Sequence, residues 1–194
     1  MSTTEDYIEK IIPHRLGMVD LLYHALTEMT FEDGAKPIEV FIDGKLKMRG
    51  NTNAYSNPAI EAGIINARSL LEFLGLKVDP KKPSKLKERN GNKRADDLYI
   101  EDFENEEGSL SKVTVDNVKA HYPGSEAEAE GALARIIHIG HKEIAHPTLG
   151  REGTHDDYAM LEIAARGIRA LTVTFFFTKL GLPAPESPVS AARA

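Results

Sequence analysis

The stretch NPAIEAGIINARSLLEFLG, residues 57–75, decides the fold class of this chain. Ile60, Ile64, Ala67, Leu71 and Leu74 recur at three- and four-residue steps, the period of one face of an α-helix. Asn57 suits an N-cap, and Pro58 suits the first helical position, where a missing N–H costs nothing. Gly75 suits the C′ position that closes a helix. One buried stripe demands partner helices to cover it, and the rest of the chain supplies candidates.

Upstream, a helical pattern runs from about Thr4 to Phe31, with Leu16, Val19, Leu22, Tyr23, Leu26 and Met29 on one stripe. Pro13 lies inside it, so a kink is expected there, with the main helix starting just after. Between the two helices, Ile38, Val40 and Ile42 alternate, Asp43-Gly44 intervenes, and Leu46 and Met48 alternate again. Asp-Gly between alternating runs is the signature of a two-residue hairpin turn, which needs positive φ at both positions. A hairpin is therefore expected over 36–49. Two strands alone are marginal, so it should lie against the helices.

Downstream, a third helix is expected from Ser125, opened by the capping box SEAE, to about Ala145, stopped by Pro147. A fourth runs from Thr154 to Gly181, roughly 40 Å at 1.5 Å per residue. Residues 77–123 read as a long charged loop with one short helix near Val115–Lys119. The expectation is a mainly α, four-helix bundle: a single domain over 1–182 with a disordered tail over 183–194.

The chain has no cysteine, so disulfides and thiol chemistry are excluded and a reducing cytoplasm fits. MSTTEDYIEK lacks the apolar segment of a signal peptide. The most apolar run, Ala170–Phe177, is far short of the about 20 residues that span a bilayer, so no membrane association is expected. A net charge of −6 argues against nonspecific coating of nucleic acid. The charges are nonetheless segregated. KKPSKLKERNGNKR (81–94) holds seven bases and one acid, while DDLYIEDFENEE (96–107) holds seven acids and no base. Either the two halves neutralise each other, or the basic half contacts phosphate.

Chemistry concentrates at the end of the third helix, in HKEIAHPT, residues 141–148. Arg135 and His146 fall within about 20° of each other on a helical wheel, and His138 and Lys142 flank the same stripe. Cationic residues at a helix C-terminus complement the macrodipole, which is one reading. A metal site using His138, His141, His146 and His155 is another, although neither an i,i+4 histidine pair nor HExxH occurs. A third is acid–base and phosphate chemistry, since a histidine titrates near about 6.5. On the second helix Glu61, Arg68 and Glu72 share a face. Arg68 and Glu72 form a surface pair, or the group orients the histidines across the bundle. Tyr99 and Phe103 could form a strap over them.

HKEIAHPT resembles the terminal motif of the HEPN superfamily, commonly R-N-x-x-x-H followed by a turn. Ile144-Ala145-His146 and the following break match, whereas His141 stands where Arg is expected and Lys142 where Asn is. Arg135, with five residues between it and His141, satisfies a looser register. The resemblance covers about 55–182. It implies a helical bundle and, in catalytic members, a metal-independent RNase built across two protomers. His146 and His141 would then do acid–base work, and Arg135 or Lys142 would hold phosphate. The departures at 141 and 142 shift the expectation towards a module that binds RNA or a partner protein, with His138, Lys142, Glu61 and Arg68 as binding residues and no cofactor or metal. Endoribonuclease activity through His146 and a His-ligated metal hydrolase are the alternatives. The chain is also similar to uncharacterised bacterial proteins sharing A-R-x-L-x-E-F-L, here Ala67–Leu74, and R-x-D-D-x-x-x-E-D-F, here Arg94–Phe103.

Phe175-Phe176-Phe177 spans about 200° of an α-helix, too wide for one stripe. Either the chain itself covers it all round, or a second subunit does; a homodimer is expected.

Overall fold

The structure, a computed structural model, describes residues 4–90, 97–141 and 155–189. Its main helices are α1 (Ile12–Glu28), α2 (Asn53–Phe73), α3 (Val115–His121), α4 (Glu126–Ile139) and α5 (His155–Thr172). Three two-stranded antiparallel sheets accompany them: β1 (Pro37–Ile42) with β2 (Lys45–Asn51), β3 (Leu76–Asp79) with β4 (Lys82–Glu88), and β5 (Glu104–Asn105) with β6 (Gly108–Ser109). The expected four-helix bundle is therefore overturned in favour of a mixed α/β fold. Among the described residues no helix is long and apolar enough to cross a membrane.

The error lies mainly in 77–123, expected to be a charged loop. It contains most of β3, all of β4 to β6, and α3. In the larger hairpin only Leu76 and Leu86 are buried, Val78 packs partly against the core, and the remaining strand positions are mostly lysines and acids, with Pro83 and Ser84. One apolar pair in a four-residue strand and one leucine in a seven-residue strand are too sparse for an alternating pattern to show. The turn is stabilised locally, because the Lys81 N–H donates to Asp79 Oδ1 at 2.9 Å. Glu130 on α4, only 8% exposed, accepts from the Leu86 N–H at 3.1 Å and Lys85 Nζ at 3.0 Å. That buried carboxylate fastens the hairpin to the helices.

The hairpin β1–β2 forms around Asp43 (φ 50°) and Gly44 (φ 72°) as the turn chemistry requires. It does not lie against the helices. All but one of its strand residues are exposed, and it is held at its stem by buried Thr52, whose N–H donates to the Lys36 carbonyl at 2.8 Å.

Helix boundaries follow the sequence approximately. Pro13 sits in the first turn of α1, and the preceding turn, Tyr7–Ile11, is a π-helix. A wider turn accommodates the residue that proline would crowd, so the chain continues without a break. α2 begins at Asn53, one turn before Asn57, and carries Pro58 inside it. Ser125 caps α4, but its side chain makes no capping bond, so the expected SEAE box is not formed. α5 continues through a π turn, Val173–Phe177, to Gly181 at φ 70°. Each π residue rotates the chain less than an α residue does, which narrows the spread of the phenylalanine run. Phe176 and Phe177 are buried and Phe175 meets the His121 ring edge at 4.9 Å. The run is therefore covered by its own chain, and it no longer argues for a second subunit.

The core joins α1, α2, α4 and α5 through Leu16, Leu22, Leu70, Leu71, Leu133, Ile136 and Ile168, all essentially inaccessible. α1 and α2 approach most closely at Gly63, where a Cβ would lie 2.3 Å from Leu22 Cβ and 2.9 Å from the Met18 carbonyl. At the other side of α1, Asp20 is 8% exposed and receives Arg169 Nη1 of α5 at 2.5 Å. Arg169 Nη2 also donates to the Pro185 carbonyl at 2.8 Å. Part of the stretch expected as a disordered tail thereby crosses this ion pair.

Gly63→Ala should lower stability by about 2 kcal/mol, overpacking outweighing the gain in helix propensity, with a reduced urea midpoint and unchanged slope. Burial of Asp20 raises its pKa above 3.8, against the opposing pull of Arg169 and of a Ser187 hydrogen bond. The folded state thus binds this proton more tightly than the unfolded one. Its contribution is full below 3.8 and is lost as pH rises through the folded pKa. The stability of wild type relative to Asp20→Asn should therefore fall on going from pH 3.5 to pH 6 (about the ordinary carboxylate window), read by denaturant titration at each pH.

Candidate functional site

The end of α2, the β3–β4 hairpin, the segment 97–99 and the end of α4 enclose an open cleft of about 860 Å³. Gly75 (φ 95°) makes this arrangement possible. It closes α2 by donating its N–H to the Glu72 carbonyl at 3.1 Å, and the chain turns directly into β3. Its own carbonyl accepts from the Arg89 N–H at 2.6 Å, which brings the end of β4 back to the end of α2. Ile137, His138 and His141 form the opposite wall, and Tyr7 and Arg15 close one side from the N-terminal helix.

Four permanent cations, Arg15, Lys77, Lys87 and Arg89, line the cleft against three carboxylates, Glu72, Asp79 and Asp97. Protonation of His138 or His141 would add to the cationic side. In a chain of net charge −6 this is a local reversal of sign.

Glu72 is the junction between the two helices. Its Oε1 accepts from Arg68 Nε at 3.0 Å, one turn back on α2, and lies 3.4 Å from His141 Nε2. Arg68 lies across Gly140 at the end of α4, where a Cβ would sit 3.3 Å from its Cδ. The i,i+4 pair read from the sequence thus forms, and it also holds a histidine across the helix boundary.

The other wall is a network that the sequence reading did not single out. The Arg89 guanidinium stacks on the Tyr99 ring, 3.5 Å from its centroid. Arg89 Nη2 donates to both oxygens of Glu101, at 2.8 and 3.0 Å, while its buried Nε has no hydrogen-bond partner. The Tyr99 hydroxyl donates to Asp97 Oδ2 at 2.7 Å, and the Asp102 carboxylate accepts from the Tyr99 N–H at 2.7 Å. The hydrogen bond to Asp97 is the chief cause of a raised Tyr99 pKa, so the phenol stays neutral. Arg89 belongs to the basic run and its partners to the acidic run. The two opposed charge blocks were the available signal, and here they meet.

The remaining candidates divide. Arg135 is not in the cleft: its Nε donates to Asp157 of α5 at 2.6 Å, joining α4 to α5. Glu61 lies on an exposed part of α2, outside the cleft lining. Tyr99 reaches the cleft as the proposed strap would, whereas Phe103 is buried against Phe73 and Phe176. His146 and Lys142 fall outside the described residues, as does the side chain of His155. Among the described residues no group of three or more His, Asp or Glu is placed to hold a metal.

Comparison with protein-family models, with curated proteins and with solved structures gives no match.

Asp97→Ala removes the chief cause of the Tyr99 shift, so the Tyr99 phenol should titrate at lower pH than in wild type. Ring-carbon NMR of labelled tyrosine, resonance assigned by Tyr99→Phe, measures it. An unchanged midpoint would mean that Asp97 does not hold the hydroxyl.

Proposed function

We propose that this protein binds single-stranded RNA, with the phosphate backbone in the cleft between α2, the β3–β4 hairpin and the end of α4. The observation that carries the reading is the concentration of Arg15, Lys77, Lys87 and Arg89 in one cleft of an acidic chain. Arg89 lines the cleft, and guanidinium forks suit phosphate oxygens. Tyr99, half-buried beside it, is the kind of aromatic surface on which an unpaired base stacks. Such a site reads backbone and base face rather than sequence. The resemblance to the HEPN superfamily supports the same ligand class.

A second reading, RNA cleavage at this site, is favoured by the His141–Glu72 contact at 3.4 Å. A carboxylate beside a histidine ring orients it and favours its protonated form, the arrangement of a residue that moves protons. Arg135 is removed from such chemistry by its pairing with Asp157.

Anisotropy of a labelled, mixed-sequence single-stranded RNA should show salt-dependent binding. The double variant Lys77→Ala/Lys87→Ala should bind about tenfold more weakly and lose about 0.7 from the salt slope for each phosphate contact removed. Equal affinity of wild type and double variant would remove the cleft from consideration. In EDTA, cleavage by wild type and not by His141→Ala would establish the second reading, and binding without cleavage would leave the first.

A further inference from the structure

The hairpin β1–β2 stands away from the core with its apolar side chains in solvent. Val40 is 37% exposed, Phe41 56%, Ile42 54%, Leu46 39% and Met48 41%. A free two-stranded ribbon is marginal in water, and three or more strands are needed for stability. Its two edges are not equivalent. β2 carries Lys45, Lys47 and Arg49, and the register shift opposite Val40 and Phe41 leaves Lys47 unpaired as a bulge. Lysines and bulges are the means by which a sheet edge is protected from pairing. β1 has neither. Its single charge, Glu39, is bonded within the hairpin to Arg49 at 2.8 Å, and Pro37 stands at its first residue.

We propose that β1 pairs with β1 of a second copy of this chain, antiparallel about a two-fold axis at Val40, making a four-stranded sheet β2-β1-β1-β2. The backbone determines the register. The Lys36 carbonyl faces β2, where it accepts from Thr52, so by strand alternation residues 38, 40 and 42 also face β2. The N–H and C=O groups of Glu39 and Phe41 face the open edge. Centring on Val40 sets each Glu39 opposite Phe41 of the second copy, with all four outward N–H groups bonded. Ile38 then meets Ile42 of the second copy, and Val40 meets itself. Centring on Glu39 instead opposes two carboxylates and sets Pro37, which has no N–H, against Phe41.

Charge and pattern select a second copy as the occupant. The strand is complementary to itself in this register, as a two-fold interface requires. A membrane-inserting finger would carry its apolar residues at the tip alone, but here Asp43, Gly44 and Lys45 form the tip, and the apolar side chains extend from Phe41, Ile42 and Leu46 beside it down the shaft through Val40 and Met48 to Ile38. The inference is independent of the RNA reading, since no residue of the hairpin lines the cleft.

The chain has no cysteine, so Val40→Cys introduces a single thiol. Across the two-fold it would face its counterpart in a non-hydrogen-bonded pair at about 4.5 Å between Cα atoms, within disulfide range. Mild oxidation should convert most of this variant to a reducible covalent dimer, while Lys47→Cys on the protected strand should remain largely uncoupled. Sedimentation velocity should show wild type at twice the 21.4 kDa chain mass. Glu39→Pro removes an outward N–H while sparing those that face β2, and should weaken the dimer at least tenfold. Circular dichroism of each variant establishes that it is folded. A monomeric wild type overturns the proposal, including one that sediments with phosphatidylserine vesicles. So does a dimer indifferent to Glu39→Pro whose Val40→Cys variant couples no faster than Lys47→Cys.

Discussion

Phe73, Phe103 and Phe176 meet edge to face, with ring centroids 5.7, 5.1 and 4.9 Å apart in the three pairings. They come from the end of α2, the segment after the 3₁₀ turn Ile100–Asp102, and the π turn that extends α5. Each such pair contributes about 0.5–1.5 kcal/mol beyond its buried area. The architectural consequence is larger than that sum. The cluster pins the charged middle of the chain to the helical core, so the segment 97–110 cannot swing away from α2. Tyr99, four residues before Phe103, is thereby held at the cleft, and Phe73 itself forms part of the lining.

The helices adjust to this core by local winding. π turns occur at Tyr7–Ile11, beside Pro13, and at Val173–Phe177, where three consecutive phenylalanines must be accommodated. At the second of these the lower rotation per residue turns Phe176 and Phe177 into the core together. Glycine does the complementary work where backbones must touch. Gly63 admits Leu22, and Gly140 admits the stem of Arg68 that leads to Glu72.

The cleft and the hairpin show two different uses of charge. In the cleft, basic and acidic blocks from one stretch of sequence fold face to face. Pairing is incomplete, because Arg89 spends one nitrogen on Glu101 and keeps Nε. On the hairpin, the lysines of β2 do not bind anything obvious; they leave one strand edge protected and the other open. Partly exposed ion pairs such as Lys87–Asp79 at 3.9 Å add little stability, so their placement speaks more to what approaches the surface than to what holds it together.

Local chemistry alone determined the features that depend on a few neighbouring residues. The Asp43-Gly44 turn, the stop at Gly75, the buried stripe of Ile64, Ala67, Leu71 and Leu74, and the Arg68–Glu72 pair are all legible, because helix period and turn dihedrals are short-range. His138 and His141, grouped at one helix end by the sequence, both line the cleft, whereas Arg135, grouped with them, pairs with Asp157 on another helix. A four-residue strand and a lysine-rich strand anchored by Leu86 alone are too short and too polar to show a period, so the β3–β4 hairpin, and with it the cleft wall, is not legible in the sequence. The Arg89–Tyr99 stack and the covering of Phe176 and Phe177 join residues far apart in sequence. Only the tertiary structure decided these, because burial and long-range pairing are properties of the packed chain and have no local signature.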